Sequence, residues 1–292
     1  MSIPWITEDE VSERLDLRAA IDAVESALLR EARGDAQTML KTHVTWGGGH
    51  TLHAIGGVDG DLVGTKTWAH TAGGANPLLI LWDSETGERR AVIEAFRLGQ
   101  LRTAAMSGVA TRLLAEPGSR TAAIVGTGKQ ALPQVNAMTT VLPINLVRVF
   151  SPNHEHRKAF AARVEDEIGV QAISVDSVED AAVGADVITT VSRATEPFLR
   201  SSFVRSGAHV NAVGAITPER AELCADLVDR ALLVTDSVES AMRLAREVAD
   251  RDLKPLSSLL GGERPAADIT VFKAMGIGLA DVALGRAILE AS

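Results

Sequence analysis

Tyrosine is missing from this 292-residue chain, and phenylalanine and tryptophan bring the aromatic share only to 3%. Cysteine occurs once, at Cys224, so no internal disulfide can form, which fits a reducing cytoplasm. Cys224 itself reads as a small residue packed on a helix. Positive charge is also short. Lys+Arg total 29 against 38 Asp+Glu, for a net charge of −9. Such a surface argues against nucleic acid and anionic membrane as partners. No apolar run approaches the roughly 20 residues of a membrane helix. The opening MSIPWITEDE is acidic and lacks the apolar stretch of a signal peptide. Low-complexity tracts and internal repeats are absent as well. The early histidines His43, His50, His53 and His70 match no zinc-ligand spacing, so no metal site is expected.

What is present suits a large folded core: 46% of residues are apolar. Thr7 and Glu10 have the spacing of a capping box, Leu17, Ile21, Val24 and Leu28 recur at helical intervals, and Gly34 stands where that helix would stop. TLHAIGGV, DLVGTKTWAH, PLLILWD and RAVI then read as strands of an antiparallel meander, with Gly87 in the hairpin turn DSETGER. A long helix follows and ends at Pro117-Gly118. From residue 121 the apolar runs TAAIVG, LVRVFS, QAISV, DVITTV, AHVNAVG and ALLVTD alternate with amphipathic stretches, PERAELC among them. Alternation of this kind predicts a parallel sheet covered on both faces. The expected fold class is α/β: a doubly wound Rossmann-type domain over 116–276, plus a β-rich α+β domain over 1–115. A C-terminal helix, about 277–292, would complete the latter.

TAAIVGTGKQALPQV, at 121–135, places a Gly-x-Gly-x-x-Ala turn between a strand and a helix. Gly126 permits the tight turn, Gly128 lets backbone approach a pyrophosphate, and Ala131 allows the helix to pack closely. Thr127, Lys129 and Gln130 complete the cradle, and the helix N-terminus meets the phosphate charge. The turn is expected to hold a dinucleotide. The second strand of such a unit ends in an acidic residue when it reads a ribose 2′-hydroxyl. Here Ser151 takes that place, followed by Asn153, His154, His156, Arg157 and Lys158. Serine with nearby cations favours NADP, with NAD possible. Lys158 and the two histidines fit a solvated helix face better.

The first domain offers cations where few are expected. Lys66 alternates with Gly64 and Trp68 on one strand face, Lys41 sits among apolar neighbours, and Arg102 lies in a small, apolar helix segment. Each alone fits a structural ion pair; together they suggest a carboxylate pocket.

The segments VGTKTW, LRTAAMSG, AIVGTGKQA, HVNAVGA and TVFKAMGIGLADVALGRAI, in this order and spacing, resemble the ornithine cyclodeaminase/μ-crystallin family over nearly the whole chain. The resemblance implies a substrate and dimerisation domain beside a Rossmann domain, and a homodimer. It implies Lys66 as pocket lysine and catalytic residue, Arg102 as the grip on the substrate carboxylate, and Thr103 near the cofactor phosphates. It sets Asn211, Val213 and Gly214 at the nicotinamide end, with Met275 and Gly276 close to that ring. Lys41 stands where many members carry an arginine, and His53 is expected to line the substrate pocket. Asp281 matches a family aspartate whose role the sequence leaves open between helix stabilisation and catalysis.

The implied activity is NAD(P)-dependent interconversion of a small α-amino or cyclic amino acid with its imino or keto acid. Cyclodeaminating members have an aspartate where this chain has Ile216, which argues against a lyase that recycles tightly held NAD. A non-catalytic NADP(H)-binding protein is the third reading, against which the presence of both Lys66 and Arg102 weighs. The scarcity of aromatic residues disfavours a large aromatic substrate.

Overall fold

The computed structural model describes residues 3–291, and the chain divides into two compact units, Met1–Met106 with Gly276–Ser292, and Ser107–Met275. In the first unit, Thr7 and Glu10 do form a capping box, opening helix α1 (Glu8–Arg14). One continuous helix to Gly34 was expected. Instead Leu15 is extended and Asp16 caps a second helix, α2 (Leu17–Arg33), its side chain accepting from the Ala19 N–H at 2.8 Å. A competent cap within a periodic run starts a new helix. Gly34 then closes α2 at φ 85°.

The strands of this unit are β1 (Trp5–Ile6), β2 (Ala36–Trp46), β3 (His50–Asp59), β4 (Leu62–Thr71), β5 (Gly74–Ala75), β6 (Leu78–Asp83) and β7 (Arg89–Glu94). Among the described residues they form one sheet of order β1-β7-β6-β4-β3-β2, with β5 on β4. Pairing is antiparallel, except that β1 lies parallel to β7. The turn between β6 and β7 is organised by Asp83, whose Oδ1 accepts from the N–H groups of Glu85 and Thr86.

The C-terminal helix (Gly278–Glu290) packs on β3 and β4. The approach needs glycine on both sides, because a Cβ at Gly278 would stand 2.1 Å from the Gly56 nitrogen. Buried Asp59 ties the layers together. It accepts from Arg30 of α2 at 2.5 and 2.9 Å and from Arg286 of the terminal helix at 3.2 Å.

Helix α3 (Phe96–Leu114) contains the boundary between the units. The second unit then runs β8 (Thr121–Val125), α4 (Ala131–Val141), β9 (Leu146–Phe150), α5 (His154–Ile168), β10 (Gln171–Ser174), α6 (Val178–Ala182), β11 (Val187–Thr190), β12 (His209–Ala212), α7 (Ala225–Val228), β13 (Ala231–Thr235), α8 (Val238–Leu244), β14 (Leu253–Pro255) and β15 (Ile269–Lys273). The sheet order is β10-β9-β8-β11-β12-β15-β13-β14, parallel throughout. The Rossmann expectation is met, with cores on either side of the sheet built by Val135, Met138 and Val164, and by Ile188, Val210 and Val271.

Two details differ from the sequence reading. ITVFK forms a wholly buried strand, β15, inserted between β12 and β13, although no regular strand-helix alternation announces it. PERAELC forms no helix: Leu223 bridges to Leu199 and Glu222 turns inward.

Candidate active site

In the first unit the four residues singled out as substrate-binding converge. Lys66 lies mid-strand on β4, between Ile55 of β3 and Leu79 of β6, and is 4% exposed. Its Nζ donates to Asp281 Oδ1 at 2.5 Å. Arg102, on α3, brings Nε to 3.7 Å from the same oxygen. The guanidinium fits because residue 276 is glycine; a Cβ there would stand 2.4 Å from Nη1. Lys41 arrives from β2 beside a register shift between Met39 and Thr42. The ammonium groups of Lys41 and Lys66 lie 5.8 and 5.6 Å from the Trp68 ring centroid. His53 stacks on Trp68 at 4.8 Å and 20°. Thr103 follows Arg102, but its hydroxyl donates back to the Gly99 carbonyl at 2.9 Å.

Two cations, Lys66 and Arg102, thus face one carboxylate, with Lys41 close enough to act on the Lys66 charge. Burial pushes the Lys66 ammonium down to about 8; Asp281 opposes this, while Arg102 and Lys41 add to it. Burial, then the Arg102 charge, also lowers Lys41. His53 falls to about 4, mostly through burial and then through Lys41, so its ring is neutral near pH 7. Asp281 Oδ2, Arg102 Nε and His53 Nδ1 are buried without a hydrogen-bond partner. Native interiors rarely leave such atoms unsatisfied, and three together mark a polar ligand site. Asp281 is fully buried in the first turn of the terminal helix, where it pairs with Lys66. The signal was available, since Asp281 stands in the apolar first half of that helix, GLADVALG, where a buried carboxylate needs a cationic partner.

Apart from Thr103 and Gly276, which belong to the first unit, the residues assigned to the cofactor lie in the second unit, most of them at the carboxyl ends of its strands. Gly126 adopts φ 114° against the Val191 carbonyl, where a Cβ would stand 2.8 Å from the oxygen. Gly128 is open to solvent with no atom near a Cβ position, Thr127 is half-buried, and Lys129 is exposed. Helices α5, α6 and α8 are capped by Asn153, Ser177 and Ser237, but α4 has no side-chain cap. Its N-cap Gln130 keeps a buried Oε1 without a partner. An uncapped helix N-terminus behind an open glycine fits a pyrophosphate.

At the end of β9, Ser151 is buried and its hydroxyl donates to the Asn153 carbonyl at 3.2 Å. Arg157 Nη1 donates to the Ser151 carbonyl at 3.1 Å. At the end of β12 the Asn211 amide is buried and engaged. Its Oδ1 pairs with His209 Nε2 at 3.1 Å, and its Nδ2 donates to Thr111 Oγ1 at 2.8 Å. Backbone at Val213 and Gly214 follows. Met275 is buried, its N–H donating to Asp236 Oδ1 at 2.8 Å. Gly276 belongs with Arg102 in the first unit.

Sequence reasoning missed Glu222. This fully buried carboxylate accepts from Thr190 Oγ1, the Ser192 N–H and hydroxyl, and the Gly214 N–H, at 2.7–2.9 Å. It clamps the segments leaving β11 and β12. No local pattern marks it, because PERAEL reads equally well as a solvated helix.

The model of the ornithine cyclodeaminase/mu-crystallin family matches residues 5–292. The mouse protein named ketimine reductase mu-crystallin is 35% identical over 217 residues, covering 73% of this chain and 68% of that protein. The Bacillus cereus protein named Delta(1)-pyrroline-2-carboxylate reductase is 30% identical over 230 residues, 74% of this chain and 70% of its own length. Among solved structures, an archaeal alanine dehydrogenase dimer with bound NAD superposes with a TM-score of 0.90 at 28% identity, covering 100% of this chain and 96% of that one.

Proposed function

The chain belongs to the ornithine cyclodeaminase/mu-crystallin family, and we propose that it reduces the C=N bond of a small 2-imino acid, or oxidises the matching amino acid, with NADP or NAD. The observation that carries this reading is the buried Lys66–Asp281–Arg102 cluster, held in one unit, with a glycine turn and uncapped helix in the other.

Arg102 and Lys41 bind the substrate carboxylate by charge-assisted hydrogen bonds. Trp68 and His53 form a flat, uncharged wall. Lys66, whose affinity for protons lies near neutrality, donates a proton to the imine nitrogen and so makes the carbon electrophilic. Asp281 holds that ammonium in place. The nicotinamide, when bound, supplies the hydride. In the oxidative direction, neutral Lys66 takes the proton back. Ile216 offers no atom able to accept a proton from a substrate amine, so cyclodeamination is not favoured. We also infer a homodimer formed through the β2–β3 face, where Val44, Trp46 and Leu52 are 57%, 44% and 44% exposed.

The test is absorbance at 340 nm with NADPH and NADH against cyclic 2-imino acids, pyruvate plus simple amines, and small L-amino acids. Consumption of the reduced cofactor with at least one imine is expected. Release of ammonia from ornithine or lysine without net change in cofactor would overturn the redox reading.

A further inference from the structure

The cation beside Ser151 has a second partner. Arg157 sits in the first turn of α5 with its side chain only 9% exposed. Its Nη1 is fixed on the Ser151 carbonyl, and the Phe150 ring centroid lies 5.8 Å from its Cζ. Its Nε is buried and has no hydrogen-bond partner. Its Nη2 pairs with Asp176, which follows β10 and whose side chain is 87% exposed.

These two groups differ in how firmly they are held. The guanidinium is anchored by burial and by the β9 end, which in a dinucleotide fold faces the adenosine ribose. The carboxylate is solvated, with its side chain 87% exposed, and a solvated partner is held far more weakly than a buried one. We propose that Asp176 is a specificity-determining residue: it occupies Arg157 when the ribose carries a 2′-hydroxyl, and a 2′-phosphate must displace it. The inference rests on the dinucleotide reading of the glycine turn. A phosphate that approaches while Asp176 stays meets a like charge. One that displaces it gains Nη2 and the unused Nε. Residue 176 therefore sets the balance between the two cofactors.

The experiment measures binding rather than turnover. NADPH and NADH are titrated by nicotinamide fluorescence, and 2′,5′-ADP and 5′-ADP by calorimetry, with the full-length wild type, Asp176→Asn and Arg157→Gln. Asp176→Asn is expected to shift the Kd ratio of NADH to NADPH toward NADPH by roughly tenfold, and to shift the ADP pair in the same sense. Arg157→Gln is expected to shift both ratios the other way, with a cooperative melt showing that it folds. Unchanged ratios in Asp176→Asn would overturn the proposal. Failure of wild type to bind any of the four nucleotides would instead overturn the dinucleotide reading beneath it.

Discussion

The proposed mechanism rests on the Lys66 nitrogen, and its surroundings give the expected pH dependence a definite sign. The ammonium titrates near 8 because burial and two neighbouring cations outweigh Asp281. Imine reduction uses the protonated form, so kcat/KM for reduction should fall as pH rises through about 8, while amino-acid oxidation should rise. Lys66→Ala should lower turnover by about 10²–10⁴-fold, the usual range for a lost general acid. NADPH affinity, read by fluorescence, should change little; wild-type rates in this variant would remove Lys66 from the mechanism. In Asp281→Asn the influence that raises the Lys66 value is gone. The limb of the pH profile for reduction should then move to lower pH. A limb that stays in place would show that another group controls it.

At the level of elements, strand β4 and helix α4 are both legible in the sequence. The alternation Gly64-Lys66-Trp68 defines one face of a strand, and Gly126-x-Gly128 between a strand and an amphipathic run defines a strand-turn-helix unit. The break between α1 and α2 was hidden because the apolar period survives across Leu15 and only Asp16 as a cap interrupts it. The β15 insertion and the Glu222 clamp were hidden because each depends on partners far away in sequence. The clamp gives an element-scale prediction. Glu222→Gln keeps the shape but turns an amide NH2 toward backbone and hydroxyl donors. An unsatisfied buried group costs about 1–3 kcal/mol. Thermal melting should show that loss, and NADPH should bind more weakly because the segments at Ser192 and Gly214 are no longer pinned. If melting and binding both match wild type, the carboxylate does not hold these segments.

For the whole molecule, the relevant forces are burial and charge pairing within each unit. Asp59 is wholly buried between Arg30 and Arg286, so Asp59→Ala takes the shared anion from both, leaving Arg286 only Asp61 and Glu290. Breaking a buried pair this way costs about 3–5 kcal/mol, and the partial exposure of both arginines places the expectation at the lower end. Urea denaturation followed by tryptophan fluorescence measures it. The proposed dimer is checked by light scattering: Val44→Glu with Leu52→Glu, opposite each other in the β2–β3 register, should yield monomers. A dimer of unaltered strength would place the interface elsewhere. The chain's own pattern determined the meander, the strand-helix alternation, the glycine turn and the identity of the cations, because these follow from local periodicity and short-range backbone sterics. Only the tertiary structure decided that Asp281, 215 residues away, neutralises Lys66, that Glu222 points inward, and that Asp176 occupies Arg157. A buried charge must find its partner in space, and nothing in sequence order constrains which partner that is.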